Sequence, residues 1–366
     1  MFKTDRRGFI VGALSVGAAP LITGCKATPH GAAEKKPGMP ELGPVVTNWE
    51  FRTAKRLSGK KAAMYIDDAI WIFRDLTRQR PKSLFGNPFL GALKEAYDRY
   101  GLKVQINCFY RTDFFYGMDE FSLAEMTDAY KDEWQASKGW LRLGFHAYQE
   151  FPDYPAINSS YDDMAKAFDR VYGEMKRFAG DGVFTYALVG HWLPISKDGC
   201  RALKDRGIKL VACTDGPRYA YTGDRNSLPY GHAFRVESSR KPETALFRRT
   251  AYDDALLSSA CGYNHLVPGQ VEKTWGSFTH VYDRDVGIGF RRFRCGPMLN
   301  LCTPDKVRAE MDATQKYDLQ MFADHEQYFY KDYYAYQPDY ADKILLASSL
   351  AHAAGREFIF MEDTVE

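Results

Sequence analysis

From about residue 60 to the carboxyl terminus, short apolar runs alternate with longer amphipathic ones. That rhythm is the pattern of buried strands each followed by a covering helix, and it leaves few architectures open. Strands separated by single helices pair in parallel, because each helix returns the chain to the end of the sheet where the previous strand began. The pattern predicts strands over 62–68, 103–110, 141–148, 184–192, 208–214, 319–323 and 357–361. Helices are predicted over 88–100, 123–137, 161–178, 196–206, 304–314 and 340–354. Asn87-Pro88 and Thr303-Pro304 each pair a capping side chain with a proline suited to a first helical turn. Gly101, Gly207 and Gly355 follow last turns, where a left-handed residue ends a helix. About seven such units in roughly 300 residues favour one closed or nearly closed parallel (β/α) barrel over two domains.

The domain is expected over 59–366, with one interruption. The stretch 216–302 carries Tyr219, Tyr221, Tyr230, Trp275 and many arginines without clear periodicity, and reads as an insertion that shapes a substrate site or as a loop-rich flap. Ahead of the domain, Asp5-Arg6-Arg7-Gly8-Phe9-Ile10 precedes an apolar run from Val11 to Ile22 and then Thr23-Gly24-Cys25. An apolar run this short behind a basic start is a processing signal, here a twin-arginine export leader over 1–24 ending in a lipoprotein box. Cys25 is the expected lipidation site, which makes a membrane the partner of the amino terminus and puts the protein in the periplasm or at the cell exterior. Residues 25–58, rich in Pro, Gly, Ala and Lys in their first half, read as a flexible tether.

Without residues 1–24 the chain has 46 basic and 46 acidic residues. That balance gives no reason to expect nucleic acid as a partner, and the 24 tyrosines and 6 tryptophans suit sugar faces better, although large aromatics mostly fill cores. Of the remaining cysteines, Cys108 and Cys213 lie in apolar runs and read as core residues. A bridge among Cys261, Cys295 and Cys302 is open, and no cysteine spacing suggests a thiolate metal site.

Parallel α/β sheets place working residues at the carboxyl ends of their strands. Those ends carry Asp67-Asp68, then His146 with Glu150 four residues on, then His191-Trp192, then His325-Glu326. Adjacent carboxylates raise each other's pKa, a cost removed when one binds a cation and the other handles a proton. The structural alternative is that Asp68 caps the next helix by accepting from the amides near Ile70 to Ile72. Only eight histidines occur, and three fall at predicted strand ends. An imidazole, a carboxylate from the same turn and one from another strand make three ligands with open positions, the layout of a hydrolytic metal site.

Tyr65-Ile66-Asp67-Asp68, Gly144-Phe145-His146 with its acid four residues on, and His325-Glu326-Gln327-Tyr328-Phe329 together resemble the polysaccharide deacetylase (NodB-homology) superfamily over about residues 60–363. The resemblance implies a distorted parallel (β/α) barrel and removal of acetyl groups, as amide or ester, from a carbohydrate. It implies Asp67 as base, Asp68 and His146 as ligands of one divalent ion, zinc before manganese, and His325 as general acid. Two positions depart from the family pattern. Glu150 stands where a second histidine is expected, which makes it the third ligand by position, and His191-Trp192 replaces an arginine motif, leaving both as substrate-contact candidates. The departures keep two other readings open: an inactive carbohydrate-binding lipoprotein on the same barrel, and a glycoside hydrolase using two carboxylates such as Asp67 and Glu150.

Overall fold

A computed structural model of the protein describes residues 48–114, 119–151, 155–156, 159–193, 195–213, 273–292 and 294–365. The export leader, Cys25, Cys261 and the greater part of 216–302 lie outside the described residues. In chain order the elements are β1 (Trp49–Thr53), β2 (Lys61–Ala69), α1 (Trp71–Gln79), α2 (Pro88–Tyr100), β3 (Val104–Phe109), α3 (Lys131–Ser137), β4 (Leu141–Ala147), α4 (Tyr161–Ala179), β5 (Ala187–Leu188) and α5 (Lys197–Asp205). They continue with β6 (Leu210–Cys213), β7 (Thr279–Asp283), β8 (Ile288–Arg292), α6 (Pro304–Ala313), β9 (Leu319–His325), α7 (Tyr340–Ala353) and β10 (Glu357–Phe358).

Strands β9, β2, β3 and β4 pair in parallel, as do β5, β6 and β8. The two sets meet through a bridge between Leu143 and Phe184 on one side, and through Cys295–Met321 and Met298–Ala323 on the other. This is a distorted parallel (β/α) barrel, as the strand and helix alternation predicts. Its distortion has named sources. β5 keeps only two residues of the predicted 184–192 strand, and β7 and β1 extend β8 as antiparallel strands. Trp49–Thr53, expected at the end of the tether, is therefore a paired strand, and the last part of the supposed insertion belongs to the sheet. Cys295 and Cys302 are buried thiols with no bridge between them.

Side-chain alternation sorts the strands into two faces. Ala62, Met64 and Ile66 of β2 pack toward the helices with Val104, Ile106, Leu141 and Leu143. Ala63 and Tyr65 instead join Val189, Leu210, Leu319, Met321 and Ala323 in a separate interior cluster. The same parity carries Asp67, Gln105, Asn107, Gly144, His146 and His325 into the barrel. Each large apolar side chain buried on the outer face contributes about 2 kcal/mol, so the helix-facing layer can hold the fold while the interior carries polar groups.

Local chemistry accounts for most helix limits. Asn87 accepts from the amides of Phe89 and Leu90, Pro88 opens α2, and Gly101 closes it at φ 72°. The predicted helix over 123–137 is broken: Ser122 and Glu125 form a capping box on a single 3-10 turn, Met126 is extended, and α3 starts afresh at Lys131. Helix α1 was not predicted. Its N-cap residue, Ile70, has no side chain to cap it. The cap comes instead from Glu326, whose carboxylate accepts from the amides of Ile70, Trp71 and Ile72 at 2.7, 2.9 and 2.6 Å. Asp68 does not cap these amides, so the structural alternative for Asp68 is replaced by Glu326.

Candidate metal centre

In an unbroken strand, residues 67 and 68 would point to opposite faces. Strand β2 avoids this with an irregularity: its register against β3 shifts between Ile66 and Ala69, and Asp68 adopts φ 62°. A bulge of this kind re-aims a side chain, and the left-handed conformation is one that aspartate tolerates better than most residues. Both carboxylates consequently enter the barrel mouth, where they are 6% and 5% exposed.

Three donor atoms converge there. Asp68 Oδ1 lies 3.0 Å from His146 Nε2 and 3.3 Å from His191 Nδ1, and the two ring nitrogens are 3.1 Å apart. Each imidazole is fixed by its other nitrogen: His146 Nδ1–H donates to the Val189 carbonyl at 2.6 Å, and His191 Nε2–H donates to the Glu150 carbonyl at 2.9 Å. These bonds set the tautomers, so lone pairs of His146 Nε2 and His191 Nδ1 face one another beside a carboxylate. Such a group demands a positive charge at its centre. The spacing suits one, since ligands about 2.0–2.1 Å from a tetrahedral ion are about 3.3 Å apart. The ring of Phe109 packs against both imidazoles, 5.2 and 5.0 Å away, and holds their planes.

The sequence reading put Glu150 in this donor set and left His191 at the substrate. The geometry reverses them. Among the described residues, Asp68, His146 and His191 form the one group of three donors within 4.8 Å of one another. Glu150 contributes its backbone carbonyl to His191. The four-residue spacing from His146 would share a face only on a helix, whereas the chain bends at 148–150 after β4 ends. His191 lies two residues beyond the inward-facing Val189, a parity signal that the sequence contained. Trp192 stacks edge-on against His191 with centroids 5.9 Å apart, outside the donor group.

Asp67 sits beside the donors without joining them. Its Oδ1 accepts from Asn107 Nδ2 at 2.7 Å and lies 3.8 Å from His146 Nδ1. Asn107 is held in turn by Gln105, which donates to Asn107 Oδ1 and accepts from Thr185. Gly144 makes room for this chain, because a Cβ there would lie 2.7 Å from Asn107 Oδ1 and 2.9 Å from the Thr185 methyl. Burial raises the Asp67 pKa, and the nearby His146 and His325 only partly offset it. Burial also pushes Asp68 upward, but His325, His146 and His191 outweigh it and hold Asp68 well below the usual carboxylate range. His146 shows the converse: desolvation lowers it, and Asp67, Asp68 and the Val189 carbonyl lift it above the ordinary imidazole value.

Across from Asp67 in the β2–β9 register stands His325. Its Nδ1 meets Asn300 Oδ1 at 3.1 Å and its Nε2 lies 3.9 Å from Asp68 Oδ2. Neither Asn300 nor its support was foreseen. Gln337 donates to the Asn300 carbonyl, and buried Lys343 of α7 donates to Gln337. Gln327 completes the mouth by donating to Asp68 Oδ2 at 2.8 Å.

No protein-family model and no curated protein matches the chain. Among solved structures it is similar to 4-alpha-glucanotransferase from Thermococcus litoralis, with 12% identity and a TM-score of 0.45 over 83% of this chain and 39% of that one. It is also similar to the Xyl-CE4 domain of a multidomain xylanase from the hindgut metagenome of Trinervitermes trinervoides (8% identity, 84% of this chain, 90% of that chain, TM-score 0.35). A third likeness is to a family 4 acetyl xylan esterase from Clostridium thermocellum in complex with a cobalt ion (13% identity, 50% and 70%, TM-score 0.27). At this distance in shape and sequence, the functional reading rests on the side chains of the site.

Proposed function

We propose that this barrel is a divalent-metal-dependent hydrolase of the polysaccharide deacetylase type, removing acetyl groups from a carbohydrate outside the cytoplasm. The observation that carries it is the pair of imidazole lone pairs locked toward each other beside Asp68. Asp68, His146 and His191 would hold the ion, which when bound supplies Lewis-acid polarisation of the acetyl carbonyl and a lowered pKa for water. Zinc suits a two-nitrogen, one-oxygen donor set, and manganese or cobalt would fit less selectively.

The chain's own groups divide the proton work. Asp67, oriented by Asn107 and raised by burial, takes a proton on a carboxylate oxygen from water attacking the acetyl carbon. His325, pinned through Nδ1 to Asn300, presents Nε2 to the departing amine or alcohol and donates a proton there. Export by the twin-arginine leader and a lipid on Cys25 would place this chemistry at a membrane facing the periplasm or cell exterior.

His191 answers the departure that favoured an inactive binding protein, because it offers the second imidazole that Glu150 does not. The test is metal content and acetate release on acetylated oligosaccharides for wild type, His191→Ala and Asp67→Asn. The proposal expects wild type to hold about one ion, His191→Ala to lose it, and Asp67→Asn to keep it while turnover falls about a thousandfold or more. Wild type without bound metal and without acetate release would leave the binding-protein reading, and shortened sugars without acetate would leave the two-carboxylate glycosidase.

A further inference from the structure

The donor group Asp68, His146 and His191 lies at the carboxyl ends of β2 and β4 and in the segment after β5. At the other end of the parallel strands, Ile208 and Lys209 lead into β6 and Gly287 leads into β8, and there a cavity of about 760 Å³ opens against β1 and β7. Its lining includes Arg52, Lys55, Lys204, Lys209, His280 and Tyr282, and no carboxylate side chain among the described residues. Arg52 lies over the Tyr282 ring, 3.3 Å from its centroid, and shares Glu50 with Arg284. Lys204 reaches Asp205 only at 3.4 Å, and Lys209 has no side-chain hydrogen bond or ion pair among the described residues. Gly287, at φ 79°, forms the floor: a Cβ there would lie 3.4 Å from Lys204 and 3.5 Å from the Tyr282 hydroxyl. Phe51, 41% exposed, stands at the lip.

Cations gathered in a cleft with low-dielectric walls focus their field and concentrate anions. Aromatic faces beside them add a surface on which a sugar ring can stack. We propose that this cavity is a second, non-catalytic site for an acidic saccharide, a sugar whose carboxylate is held by Lys204, Lys209 and Arg52 while its ring lies against the exposed Phe51. The choice of a saccharide rests on the carbohydrate reading of the metal centre; the preference for an anion rests on the cavity alone. Such a site would hold an acidic polymer at one end of the barrel while acetyl groups are presented at the other.

The experiment is equilibrium binding of oligogalacturonate and of a neutral xylo-oligosaccharide to the full chain. Wild type should bind the acidic oligomer, with affinity falling as sodium chloride rises from about 0.05 to about 0.5 M. The Lys204→Glu/Lys209→Glu variant should bind it at least about tenfold more weakly while metal content and acetate release stay at the wild-type level. The milder Lys204→Gln/Lys209→Gln pair covers the case in which charge reversal disturbs folding, and should show the same direction. Equal binding by wild type and both variants, or equal binding of neutral and acidic oligomers, overturns the proposal. So does capture by phosphatidylglycerol vesicles without oligogalacturonate binding, which would make the cavity a membrane-facing surface. Because binding is read without turnover, a protein that releases no acetate yet binds the acidic oligomer would refute the enzyme reading and leave this site standing.

Discussion

Asp67 and Asp68 are chemically identical neighbours driven in opposite directions by what surrounds them. Asp68 has three histidines and Gln327 about it and is held well below the usual carboxylate range; Asp67 is raised by its burial, which His146, His325 and the Asn107 amide only partly offset. His146 and His325 offset this rise most, and the Asn107 amide adds to them. Replacing Asn107, as Asn107→Ala, removes a hydrogen bond that favours ionised Asp67, so the acid limb of kcat/KM against pH should move to higher pH, with metal content unchanged. A pH profile superimposable on wild type would remove Asn107 from any part in tuning the base. A second comparison separates the donor sets: His191→Gln should lose the ion, whereas Glu150→Gln should retain it, because Glu150 meets His191 through its backbone carbonyl and stands outside the group of three donors. Inductively coupled plasma measurement of the purified variants decides between them.

Glu326 does for α1 what no local residue can. Its carboxylate accepts three amides and the Tyr330 hydroxyl, and by pinning Ile70 two residues after Asp68 it fixes where β2 ends. Burial raises its pKa to about 7 against these lowering bonds. The native state therefore keeps a proton that the unfolded chain has lost between about pH 4.5 and 7, and over that window stability falls as pH rises, by about 3 kcal/mol in all. Glu326→Gln removes this titration, so thermal midpoints measured from pH 4.5 to 8 should decline less steeply than those of wild type, at the cost of a weaker cap. Gly144 acts at the same scale on β4. Gly144→Ala pushes a methyl into Asn107 and Thr185, and should cost about 1–3 kcal/mol in urea titrations while lowering turnover through Asp67.

For the whole molecule, the donor group joins β2, β4 and the segment after β5, so an ion bound there ties one parallel set of strands to the other. An ion at a thousandfold excess over its Kd would stabilise by about 4 kcal/mol, and chelation should lower the thermal midpoint by several degrees, reversibly on adding zinc. An unchanged midpoint would argue against a structural hold by the ion. The barrel itself was legible because alternating faces and capped helices are local signals: Asn87, Pro88 and Gly101 announce α2 without help from elsewhere. That Asp67, Asp68, His146 and His325 stand at one end of the barrel follows from the same local signals, since each ends an apolar run. The α1 cap was not legible, since Glu326 is 256 residues from Ile70. The place of His191 beside Asp68 and His146 is not carried by the spacing from His146 to Glu150, which would share a face only on a helix, whereas the chain bends there.

The irregularity in β2 also limits how this chain can vary. One residue more or fewer between Lys61 and Ile66 would rotate the acids out of the mouth and bring apolar side chains in, while the outer layer would exchange its own pattern at the same stroke. Substitutions in this strand can be tried one at a time, but a change in its length would carry both carboxylates out of the mouth together.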